Sequence, residues 1–134
     1  AAAAARLARL FAREGLKIRT MPAADHDRWV GRTMGLAHVA ALACAGTLER
    51  LKVDAFDVDG RATTSFRRLL DLVGSLLDQD PALTRAIQTQ NPDAPWVAKV
   101  LSEEVEAFRA ALFAPDLGPL AARVMALRRA LGRV

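Results

Sequence analysis

His26-Asp27-Arg28, followed five residues later by Met34-Gly35-Leu36-Ala37-His38, lies inside a run from His26 to Leu51 that contains no proline and keeps helical spacing throughout. This run predicts one long helix. Pro22 and Asp25, a cap candidate, mark its start, and Gly31, Gly35, Ala45 and Gly46 give it a face on which other helices can approach closely. His38 shares that face with Gly31, Gly35, Leu42 and Ala45, all small or apolar. A buried imidazole among such neighbours has two readings: a core histidine bonded to a backbone carbonyl, or a group that serves a ligand.

Working outward, the N-terminal side offers a helix from Ala3 to Glu14, with Leu7, Leu10 and Phe11 on one face, Arg6, Arg9 and Arg13 towards the other, and Gly15 as its stop. Leu16-Lys17-Ile18-Arg19-Thr20 alternates apolar and basic residues, the pattern of a short strand. A lone strand leaves its backbone groups unpaired, so this one needs partners from a second molecule or from sequence before Ala1. On the C-terminal side, Lys52 to Ala62 reads as a loop, with Asp54, Asp57, Asp59 and Gly60 as turn formers. Thr63 or Thr64 caps a helix to about Leu77 whose apolar side holds Phe66, Leu69, Leu70, Val73 and Leu76. Asp80-Pro81 starts a short helix and Asn91-Pro92 ends it. Two further helices follow, one from about Ala94 to Phe113, broken by Pro115, and one from Leu117 to Arg133. The pattern is therefore all-α, preceded by a short helix and strand.

Composition narrows the function. With 134 residues, 52% of them hydrophobic, the chain can build one core without staples. A single cysteine, Cys44, forms no disulfide framework; it reads as a small core thiol and fits a reducing, cytoplasmic setting. The longest apolar stretch, Gly35 to Gly46, is interrupted by His38 and is shorter than the roughly 20 residues a membrane span requires. No secretory signal is visible. The net charge of +4 arises at the two ends, where basic residues outnumber acidic ones, and no base-stacking platform accompanies it, so neither nucleic acid nor membrane is an expected partner.

Few residues carry chemistry. Arg67 and Arg68 follow Thr63-Thr64-Ser65 in the first turn of a helix, where a cation opposes the positive end of the dipole and gains from an external anion. A solvated arginine is the alternative at both positions. His26 and Asp27 read as capping and first-turn groups and not as a catalytic pair. Two histidines twelve residues apart and one cysteine give no metal spacing, and Gly31-x-x-x-Gly35 within a helix is a packing motif and not a phosphate cradle. No catalytic, cofactor-binding or metal-binding residue is identified.

Taken together and in order, these landmarks resemble the C-terminal helical domain of the prephenate and arogenate dehydrogenase family. The segment Leu7 to Met21 is similar to the helix and strand that close the family's nucleotide domain, His26-Asp27 to the start of its interdomain helix, and Gly35-Leu36-Ala37-His38 to its Gly-Leu-x-His form. The most specific likeness is Phe66-Arg67-Arg68-Leu69-Leu70-Asp71-Leu72-Val73-Gly74, followed by Gln79-Asp80-Pro81, Ile87-Gln88 and Asn91-Pro92, which resembles the archaeal-type branch.

The resemblance implies an intertwined homodimer, with residues 1–24 as the end of a Rossmann domain and residues 25–134 as the dimerisation and substrate-pocket domain. It further implies an NAD- or NADP-dependent oxidative decarboxylation of prephenate to 4-hydroxyphenylpyruvate, on the tyrosine pathway. By position, Arg67 matches the family arginine that binds a substrate carboxylate, and His38 the second histidine of its Ser-His-Leu-Pro-His motif, so both are expected to bind a prephenate-like dicarboxylate. Met34 and Gly35 depart from that motif. The cofactor domain and its catalytic histidine are not among these residues, so this chain alone is not expected to turn over prephenate. Two other readings are a stand-alone helical dimerisation or binding module and a small helical enzyme of the chorismate mutase kind, the latter suggested by Arg6, Arg9 and Arg13.

Overall fold

A computed structural model describes residues 2–53 and 61–132, and the regular structure of those residues is entirely α-helical. Among the described residues the helices are α1 (Ala2–Arg13), α2 (Ala23–Arg50), α3 (Thr64–Leu77), α4 (Pro81–Gln90), α5 (Ala94–Leu112) and α6 (Gly118–Ala130). The expected loop residues Asp54, Asp57, Asp59 and Gly60 lie outside the described residues.

Most helix ends form as their residues dictate. Gly15 adopts φ +79°, which lets the Leu16 N–H reach back to the Phe11 carbonyl and close α1. The Thr63 hydroxyl accepts from the Phe66 N–H at 3.3 Å, and the Asp80 carboxylate accepts from the Ala82 N–H at 2.8 Å, with Pro81 behind it in the first turn. The start of α2 differs from expectation. It opens directly after Pro22, three residues before His26 and with no side-chain cap, because the Pro22 carbonyl already accepts from the Asp25 and His26 N–H groups. Asp25 is thus a first-turn residue, paired with Arg28 at 3.1 Å.

Leu16 to Thr20 form no strand. An extended segment without a neighbouring strand has no ladder to join, and none of the described residues supplies one. On its far side α1 packs against no other helix, so Leu7, Leu10 and Phe11 remain exposed together with Leu16 and Ile18.

Helix α2 is the axis of the rest. It packs against α3, α4 and α5, while α5 also touches α4 and α6. Its buried face consists of Gly31, Gly35, His38 and Ala41. Ala41 meets Val73 and Leu76 of α3 in the central cluster, bordered by Cys44, Ala45 and Leu69. The cysteine is half-buried there, as expected of a small apolar side chain. Leu42, expected on this face, is instead 43% exposed, with nothing among the described residues to cover it.

The core is thin for a chain this apolar. Accessible surface totals 10,960 Å², whereas a compact monomer of 14.4 kDa exposes about 6,800 Å². Large apolar side chains make up much of the difference, among them Trp29, Trp96, Leu112, Phe113 and Leu117.

Candidate functional site

Glycine decides how α2 meets its neighbours. A Cβ built on Gly31 would overlap the Asn91 carboxamide, falling 2.6 Å from Nδ2 and closer still to Oδ1. That amide cannot step aside cheaply, since Nδ2 donates to the Asp27 carbonyl at 2.6 Å and Oδ1 accepts from the Asp93 N–H at 2.9 Å. Asn91 therefore ties the first turns of α2 to the junction between α4 and α5. One turn further along, Gly35 faces Gln88 of α4 at a looser 3.9 Å. Gly46 meets nothing, so the expected close approach holds at Gly31 and Gly35 and not there.

His38 comes next on this face. It is 7% exposed, and its Nδ1 has no hydrogen-bond partner. The bonded core histidine that the sequence allows is therefore not what forms at Nδ1. Gln88 Nε2 and Gln79 Oε1 are likewise buried and unpaired. Such groups are uncommon in folded proteins, where buried water, an ion or a ligand commonly satisfies them.

Arg67 lies on the helix packed beside α2, in the first turn of α3, exposed and without an ion-pair partner among the described residues. No acidic residue shares that turn. Its guanidinium is thus available to an external anion, as is that of Arg68. His26 and Asp27 are elsewhere: their side chains pair at 3.2 Å on the surface at the start of α2, and twelve residues of helix, about 18 Å, separate them from His38. They do not cap α2, since the helix has already begun at Ala23. Asp27 contributes instead through its backbone carbonyl.

Asn91 and Gln88 are the residues whose roles the sequence conceals. Asn91-Pro92 reads as a helix stop, and nothing in its spacing reveals that the amide folds back across 64 residues. A second tie near the same place is Arg32, whose Nε donates to Asp93 at 3.1 Å while its guanidinium stands 5.3 Å from the centre of the Trp96 ring.

Two concavities on the chain lie away from His38, one along Leu7 and Leu10 of α1 and one between α5 and α6 beside Ala111 and Arg123. Arg123 is held there by Glu104 and by the face of Phe108. The described residues hold no cluster of three or more metal-ligating side chains and no helix long and apolar enough to cross a membrane. Among the described residues no strand leads into a glycine-rich turn, and the Gly31 backbone is covered by Asn91.

Comparison with known proteins places this geometry. The family model described as prephenate dehydrogenase, dimerization domain, matches residues 22–116, from the start of α2 to just past α5. A probable arogenate/prephenate dehydrogenase of Methanocaldococcus jannaschii is 32% identical over 80 residues, which is 60% of this chain and 18% of that protein. The chain thus spans less than a fifth of that relative's length. No solved structure matches.

Proposed function

This chain belongs to the prephenate dehydrogenase dimerization-domain family, and from that premise we propose that it forms a homodimer and supplies part of the pocket for a prephenate-like dicarboxylate. Residues 25–134 are the dimerisation and substrate domain, and residues 1–24 are the end of a nucleotide domain. Hydride transfer to NAD or NADP, with loss of carbon dioxide from prephenate, belongs to that nucleotide domain. What this chain contributes is recognition. Arg67 makes a charge-assisted bond to a substrate carboxylate, and His38 provides a polar group on the pocket wall.

The observation that carries the reading is the accessible surface. The excess over a compact monomer is about 4,000 Å² per chain, more than the roughly 1,000–2,500 Å² per partner that an obligate dimer buries. Exposed leucines, tryptophans and Phe113 are the side chains such an interface would cover.

Light scattering at micromolar concentration is expected to give about 29 kDa, twice the 14.4 kDa of the chain; a mass of one chain would remove the homodimer. In the dimer, Arg67→Ala is expected to weaken prephenate binding by about 1.5–3 kcal/mol. Unchanged affinity in a calorimetric titration would take the carboxylate role away from Arg67.

A further inference from the structure

Helix α6 has a single neighbour. Among the described residues it touches α5 alone and buries none of its side chains. The family match ends at residue 116, before α6 begins at Gly118. Between the two helices runs an open recess of about 590 Å³, bordered by Ala107, Ala110 and Ala111 of α5 and by Ala122 and Ala126 of α6. Leu112, Phe113, Leu117 and Met125 stand exposed on the same pair of helices and the turn between them. One surface thus carries both a shallow hollow of small side chains and large apolar groups with nothing over them.

Charge separates the possible occupants. Every charged side chain of α5 is paired within the chain, Lys99 with Glu103, Arg109 with Glu106, and Glu104 with Arg123 of α6. Arg123 is the one charged group among the described residues of the recess lining, and it also lies over the Phe108 ring. A small anionic ligand therefore finds no free cation there, and the alanines lack the convergent polar groups that fix a small molecule. Arg128 and Arg129 sit in the last turn of α6, clear of the lining. A second copy of the chain fits these terms. Two-fold pairing sets a patch against itself, so an unpaired charge near the axis would confront its own twin, whereas a neutral patch does not. The area agrees: the excess of about 4,000 Å² over a compact monomer accommodates an interface of about 1,000–2,500 Å² per partner without calling on the apolar face of α1.

We infer that the α5–α6 face is where a second copy of this chain docks, recess against recess, about a two-fold axis near Ala110. The inference rests on the homodimer reading given above and extends the interface to α6. Small side chains at Ala107, Ala110 and Ala111 let the two α5 backbones approach closely, and Leu112, Phe113 and Leu117 of each copy are covered as they do so.

The test is sedimentation equilibrium of the full chain as wild type, Ala110→Glu and Ala110→Lys, each alone and the two variants mixed. Position 110 is exposed in the single chain, and both replacements are good helix formers. Each variant alone is expected to dissociate about a hundredfold more readily than wild type, because like charges meet at the axis. The equimolar mixture is expected to recover a dimer, which also shows that both variants fold. A second measurement requires no loss of association: Ala110→Cys in a Cys44→Ser background is expected to give a covalent dimer with a short bismaleimide. A wild-type dimer that both charged variants leave intact overturns the inference and keeps the homodimer, formed through another face. A mixture that stays monomeric, with no cross-linking at position 110, overturns it as well. A monomeric wild type overturns the inference and the homodimer together.

Discussion

The turn of α2 around Gly31 and the whole of α1 are both helical, yet they are held in opposite ways. At Gly31 a carboxamide lies flat against the backbone, bonded at each end, and Arg32 adds an ion pair and a ring contact alongside. At α1 the helix has its stop signal and its amphipathic pattern but no neighbour, and Leu7, Leu10 and Phe11 face outward. The difference teaches that sequence periodicity reports which face will be covered and not what covers it. In α2 the cover lies in the same chain; for α1 the described residues contain none.

The sharpest way to break this contrast is Gly31→Ala. Alanine favours a helix over glycine by about 1 kcal/mol, but here its methyl group displaces Asn91 and both of that residue's hydrogen bonds, at about 1 kcal/mol each, on top of about 1–3 kcal/mol of overpacking. A net loss of about 2–4 kcal/mol by urea unfolding is expected. A variant as stable as wild type would mean that Asn91 does not hold the junction.

Gly35→Ala should move the other way. Its Cβ meets only ordinary contact at 3.9 Å, so the helix preference prevails and stability rises by about 0.5–1 kcal/mol. The sign difference between two glycines one turn apart is itself the measurement. The smallest effect is expected in α1, where Leu10→Ser changes an exposed residue and shifts the stability of this chain by no more than about 0.5 kcal/mol. In a longer chain that carries a nucleotide domain, the same substitution should become destabilising, as a covered leucine there would be worth about 1.5–3 kcal/mol. If it stays silent in both, α1 has been assigned to the wrong neighbour.

How much of this could be read in advance follows from the range of the forces involved. Thr63, Asp80 and Gly15 act within a few residues, so their roles were legible as caps and stops. The all-helical class was legible for the same reason, from spacing along single segments. The start of α2 was misplaced because Asp25 is a good cap by composition, while a proline carbonyl supplied the acceptors. No strand forms at Leu16–Thr20 because alternation expresses a preference that only a partner strand can realise, and the described residues hold none. At the site, Arg67 and His38 stood out as residue types in unusual places. Gln88 and Asn91 did not, since their meaning depends on which glycine of another helix lies opposite.

The bond from Asn91 to the Asp27 carbonyl also orders events in time. On a ribosome adding about 5–20 residues per second, the 64 positions between them take about 3–13 s to emerge. For that interval the long helix has its own backbone bonds but not its lock, and the glycine face stays open to chaperones, proteases or the wrong partner. Translation speed across residues 27 to 91 is therefore a variable to which the yield of correctly assembled protein should respond.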